Sequence, residues 1–144
     1  EPFEMIYPPD AAELARCYAN ADRVLARVSA TVDNASRVRT WPHKFDSAVL
    51  VSLNPGEQPE GARSVSVGMM PGDGEYQEPY WYVTPWPYPK HNRFPDLRGG
   101  GTWHTEEWVG ALLPLSKLED GDSQPEQVAE FIESAYTGSR ALVA

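Results

Sequence analysis

Two short segments carry the groups with most chemistry to offer: Trp41-Pro42-His43-Lys44-Phe45-Asp46 and Trp103-His104-Thr105-Glu106. Each sets a histidine beside a tryptophan and near a carboxylate. Imidazole is the side chain best suited to move a proton near neutral pH, and a nearby carboxylate can orient it. If Thr102 to Leu113 is one extended strand, its period of two puts His104, Glu106 and Trp108 on a single face. With the first segment alongside, His43, Asp46, His104 and Glu106 could work as acid-base groups, or two histidines and a carboxylate could bind a metal. The spacing weighs against this, since neither HxH nor HExxH occurs. Buried polar groups usually find structural hydrogen-bond partners, so both histidines are expected to be structural and no metal ligand is assigned.

The other candidates are weaker. Cys17, the single cysteine, falls on an apolar stripe, where a thiol acts as a small hydrophobe. It can form no internal disulfide, and a reducing cytoplasm suits it best. No G-x-S-x-G elbow is present. Gly99-Gly100-Gly101 precedes a strand and lacks GK[ST], which rejects a phosphate loop. Asp73, Glu75 and Glu78 lack EF-hand spacing and read as a solvated turn.

Aromatics offer binding rather than reaction. If Pro79 to Tyr88 is extended, Tyr80, Tyr82, Thr84, Trp86 and Tyr88 share one face, with Trp81, Val83, Pro85 and Pro87 on the other. One set can pack under helices while the other shields the open face. Alternatively, Trp41, Tyr80, Tyr82, Trp86, Trp103 and Trp108 line a surface for a flat or sugar-like ligand. The prolines at 79, 85, 87 and 89 remove ladder donors, which puts this strand at a sheet edge or takes it out of the sheet after Thr84.

The elements that must position these groups follow from periodicity. A helix is expected from Asp10 to Ala30, with Asp10 and Glu13 as a capping box and Leu14, Cys17, Tyr18, Ala21, Val24, Leu25 and Val28 as its buried stripe. Glu13, Arg16, Asn20, Arg23 and Arg27 form its wet face. A second helix opens at Ser123-Gln124-Pro125-Glu126 and buries Val128, Phe131, Ile132, Ala135 and Tyr136, with Gly138 ending or weakening it. Between them lie strands at Ser47–Leu53, Ser64–Met70, Pro79–Pro87 and Thr102–Leu113, with Val38 to Trp41 a short lead-in. Their short Gly- and Pro-rich connections suit antiparallel neighbours. The expected fold is α+β: an antiparallel sheet of four to five strands, flanked by an N-terminal and a C-terminal helix over one face.

The chain has 144 residues, 41% apolar and 23% charged, with 12 Lys+Arg against 21 Asp+Glu and a net charge of −9. That length supports one domain over residues 1–144, able to bury roughly 68–70% of its unfolded surface. An acidic surplus without a basic cluster disfavours nucleic acid and repels anionic membranes, and no run of about 18 apolar residues is present to span one. A small ligand is expected to be neutral or cationic.

Three segments together resemble an uncharacterised bacterial family, a domain of unknown function. They are Trp41 to Asp46, then Pro71-Gly72-Asp73 leading to Glu78-Pro79-Tyr80-Trp81-Tyr82-Val83-Thr84-Pro85-Trp86-Pro87-Tyr88-Pro89, and finally Phe131-Ile132-Glu133-Ser134-Ala135-Tyr136. The resemblance covers about Trp41 to Tyr136 and implies a shared fold and site, but no activity. Members with this pattern are longer at the N-terminus, which would make this chain a short relative or the C-terminal part of a longer protein. Gly99 to Glu106 looks like a local elaboration.

The function expected from these observations is a ligand-binding or protein-interaction module with an aromatic-rich surface, a homodimer being one variant. The alternative is an enzyme using His43, Asp46, His104 and Glu106, with no cofactor specified.

Overall fold

Helical spacing of apolar residues at the two ends and period-two alternation between them give, among the described residues, two α-helices around six strands, one more than the alternation alone distinguishes. The computed structural model describes residues 11–40, 46–72, 76–90, 93–119 and 121–144. Helix α1 (Ala11–Thr31) and helix α2 (Gln124–Leu142) enclose β1 (Arg39–Thr40), β2 (Ser47–Ser52), β3 (Ser64–Met70), β4 (Tyr80–Trp86), β5 (Thr102–His104) and β6 (Gly110–Pro114). The strands form one sheet in the order β1-β2-β3-β4-β6-β5, every pair antiparallel. The expected α+β class and flanking helices are present, with six strands in place of four or five.

The sixth strand corrects the reading of Thr102 to Leu113 as one element. The chain reverses between His104 and Gly110, so that β5 and β6 pair with His104 opposite Gly110. Glu107 takes a left-handed φ of 68°, and the Trp108 amide donates to the Glu106 carbonyl at 2.8 Å, closing a three-residue turn. Neither glycine nor proline marks this reversal, so the apolar alternation on either side of it reads as continuous.

Strand β4 is also placed differently from expectation. It lies inside the sheet, paired with β3 along its whole length and with β6 from Tyr80 to Val83. Past Val83 its β6 side is unpaired, so Pro85, opposite Val65 on β3, sits where β4 has a single neighbour and a missing ladder donor is tolerated.

The main core lies between sheet and helices. Ala21 and Leu25 of α1 and Val128, Phe131, Ile132 and Ala135 of α2 meet Val49, Val51, Val65, Val67, Met69, Trp81, Val83, Ala111 and Leu113. Helix α1 packs over β2 and β3, while α2 packs over β4, β3 and β6. The cap assigned to Asp10 lies outside the described residues. Ser123 is itself in a helical conformation and makes no side-chain capping bond, because a 3-10 turn over Gly121–Ser123 leads straight into α2. Gly138 does not end α2. It is buried, and a Cβ there would come within 3.1 Å of Pro95 and 3.4 Å of Trp103, so its small size admits the neighbouring loop. No described helix is long and apolar enough to cross a membrane.

Candidate functional site

The face of the sheet turned away from the helices is paved by alternate residues of β2 to β6. The register aligns Ser52, Ser64 and Trp86 in one row, Leu50, Ser66 and Thr84 in the next, and Ala48, Gly68, Tyr82 and Leu112 in a third. Met70, Tyr80 and Pro114 make a fourth row, and His104 faces Gly110 at the β5 side. Over β2 to β6 none of these residues is an acid, lysine or arginine, and the third row ends on β1 in an exposed arginine, Arg39, opposite Ala48.

Half of this face is closed by its own side chains. Met70, Tyr80 and Leu112 form a small second core, with Tyr76, Tyr82 and Trp108 against it. Tyr82 lies across Gly68, where a Cβ would be 2.5 Å from the phenol oxygen, and so donates to Asp46 Oδ2 at 2.7 Å. Burial first, then the hydrogen bond to Asp46 and its charge, raise the Tyr82 phenol well above the usual tyrosine range. Tyr18 on α1 is raised too, by burial first and then by the Asp46 carboxylate. Edge-to-face contacts continue the series, from Tyr82 to Tyr80 at 6.3 Å, Tyr80 to Tyr76 at 5.4 Å, and Tyr76 to His104 at 5.7 Å.

His104 is 7% exposed and engaged at both ring nitrogens. Its Nε2 lies 2.7 Å from the Glu106 carbonyl oxygen. A carbonyl can only accept, so Nε2 carries the proton and Nδ1 accepts from Tyr76 Oη at 2.9 Å. Trp108 stacks on the imidazole at 4.1 Å and 23°. His104 and Trp108 therefore do meet, through the tight turn rather than along one strand. Glu106 contributes its backbone carbonyl there, and its side chain is exposed.

The other half of the face is open. Trp86 is 51% exposed, Leu50 49% and Tyr88 40%. The two aromatic rings contact edge to face at 5.0 Å. Beside them stand Ser52, Ser64, Ser66 and Thr84, all half-buried, whose hydroxyls make no hydrogen bond among the described residues.

The residues singled out from sequence are thus dispersed. Trp41 and His43 lie outside the described residues. Trp103 is on the helix side, donating from Nε1 to the Pro95 carbonyl at 2.8 Å and packing on Phe94. Tyr80, Tyr82, Trp86 and Trp108 share the uncovered face, with Trp86 alone among these four exposed. Asp46 meets Tyr82, whereas the ring nitrogens of His104 are engaged by Tyr76 and the Glu106 carbonyl. Among the described residues no group of three or more His, Cys, Asp or Glu could hold a metal ion. Sequence reasoning missed Tyr76 and the hydroxyl rows. The signal for the latter was present in Ser64 and Ser66, which alternate with the buried valines of β3.

No family model, curated protein or solved structure matches the chain.

Proposed function

We propose that this chain is a binding module whose ligand lies on the open half of the uncovered sheet face, against Trp86 and Tyr88. The ligand is uncharged, with one apolar face and several hydroxyls, the chemistry of a pyranose ring. One observation carries the reading: two exposed aromatic rings and Leu50 adjoin four serine and threonine hydroxyls that have no partner among the described residues. Aromatic faces cover the C–H side of such a ligand, and the hydroxyl rows can exchange hydrogen bonds with its edges. The absence of charge from those rows favours an uncharged ligand over an ionic one, which would lose hydration without gaining a counter-charge.

The alternative, an enzyme built on His43, Asp46, His104 and Glu106, draws less support. His104 already uses both ring nitrogens on Glu106 and Tyr76, and Asp46 accepts from Tyr82. Kinship with the uncharacterised bacterial family is likewise proposed on the three segments alone, and a cytoplasmic location on the lone thiol.

The test is calorimetric titration with a panel of neutral hexasaccharides, cellohexaose, xylohexaose and chitohexaose among them. Binding by at least one is expected. Trp86→Ala and Tyr88→Ala should each weaken it by about fivefold to thirtyfold, the range of a lost aromatic anchor at about 1–2 kcal/mol. A His104→Gln variant that stays folded should bind as the wild type does. Failure of the whole panel contradicts the proposal. A concentration-dependent dimer that dissociates on Trp86→Ala would instead assign the patch to a second copy of the chain.

A further inference from the structure

The opposite side of the molecule carries a feature that the sheet-face reading does not use. Helices α1 and α2 share β3 but otherwise rest on opposite sides of it, α1 over β2 and α2 over β4 and β6, and a cleft of about 690 Å³ is lined by both. Its apolar lining comes from three sources: Met69 and Trp81 of the sheet, Val24 of α1, and Val128 with Leu115 and Leu118 at the α2 side. The size falls within the range of small-molecule sites, roughly 300–1,000 Å³.

The polar flank of this cleft is basic. Arg16, Arg23 and Arg27 line it, with Asn20 between them, at positions that repeat along one stripe of α1. Asp122 is the single carboxylate in the lining. None of the three guanidinium groups forms an ion pair or hydrogen bond among the described residues, where Arg98 with Glu133 is the sole ion pair. In a chain with 21 acidic side chains and a net charge of −9, three arginines whose side chains have no partner among the described residues and gather on one cleft are a local reversal of sign there. The first residues of α2, Gln124 and Pro125, also line the cleft, so the positive end of that helix dipole adds to the same field.

We infer that the cleft between α1 and α2 is a second binding site, for a small amphipathic carboxylate whose apolar body enters the cleft and whose charged head meets Arg16, Arg23 and Arg27. An apolar floor alone would accept any hydrophobe, whereas guanidinium groups at the rim select an anionic head, because Arg matches a carboxylate with paired donors. A ligand without charge leaves the arginines in water, and a cationic one is repelled. The stretch of α1's wet face from Arg16 to Arg27, with Arg23 and Asn20 between them, is in this view the selective wall of a site.

Decanoate is a suitable probe, with decan-1-ol and decylammonium as its neutral and cationic counterparts. Cys17 stands in the cleft wall and is the chain's single cysteine, so the rate of its alkylation by iodoacetamide reports occupancy. Methyl resonances of Val24 and Met69 report it independently. Decanoate is expected to slow alkylation and shift those methyls more strongly than either counterpart. The double variant Arg16→Gln/Arg23→Gln, both positions exposed on α1, should bind decanoate about five- to tenfold more weakly and decan-1-ol unchanged, as expected for two solvent-screened ion pairs. Equal protection by all three probes, or decanoate binding untouched by the double variant, overturns the inference. A cleft that ignores decanoate and retains an acidic amphipathic peptide overturns it too, in favour of a protein partner. Because hexasaccharide binding maps to the other face, failure here leaves that proposal standing, and the reverse also holds.

Discussion

The 2.7 Å contact from Tyr82 Oη to Asp46 Oδ2 has a measurable consequence. Asp46 is only 9% exposed, so removing its donor leaves a carboxylate poorly solvated. Tyr82→Phe should therefore cost about 1.5–3 kcal/mol at pH 7, the usual range for a hydrogen bond to a charged group. A pH dependence follows with definite sign. The folded phenol holds its proton above the value of an unfolded tyrosine, through burial first and Asp46 second. Its contribution is then complete below about pH 10 and is lost as pH rises beyond that, where the unfolded state releases a proton that the folded state keeps. Urea unfolding of both proteins at pH 7 and pH 10.5 checks this, the difference between them shrinking at the higher pH. A variant as stable as the wild type at both values would contradict it. At this scale the sequence was partly legible: His104 stood out as a group needing a structural partner, and Asp46 as an acid-base candidate rather than as the acceptor it is. Their partners, Tyr82 and Tyr76, come from strand pairing and loop placement, which residue types and spacing do not encode.

At the scale of elements, the glycine run before β5 shows why a composition signal can be seen and its role missed. Gly99-Gly100-Gly101 is rejected as a phosphate loop from sequence, and the structure gives it packing work. A Cβ on Gly99 would approach the Gln127 carbonyl oxygen of α2 to 2.6 Å, and the residue adopts a φ of 75° that side chains disfavour. Gln127, nearly buried, fastens the loop by donating from Nε2 to the carbonyls of Gly99 and Lys117, and accepts at Oε1 from the Glu119 amide. Gly99→Ala should consequently destabilise the domain by about 2–3 kcal/mol, since both backbone strain and a backbone contact oppose it. Thermal and urea unfolding measure this, and a loss below about 0.5 kcal/mol, the level of a neutral surface change, would show that the loop yields. The helices and β2 to β4 were readable because their apolar period is uninterrupted. The β5–β6 hairpin was not, since its reversal rests on a left-handed Glu107 and on bonds from His104 and Trp108 to one carbonyl.

Viewed as a whole, the molecule separates two kinds of surface. The helices cover one side of the sheet and leave an arginine-lined cleft between them, while the other side is divided into a closed aromatic cluster and an open patch of Trp86, Tyr88, Leu50 and hydroxyls. Overall charge predicts rejection of anions, and that holds for the molecule's long-range field without deciding the preference of a local cleft. Period-two alternation told which aromatics share a face; which of them stay exposed depended on side-chain packing across strands, as when Tyr82 covers Gly68. The claim that the open patch is the principal binding surface is tested most directly by mapping backbone amide shifts on titration with the best-bound neutral hexasaccharide. Shifts are expected to concentrate at Leu50, Ser52, Ser64, Ser66, Thr84, Trp86 and Tyr88, with Cys17 and Val24 unmoved. Shifts gathered along α1 and α2, with that patch silent, would contradict it.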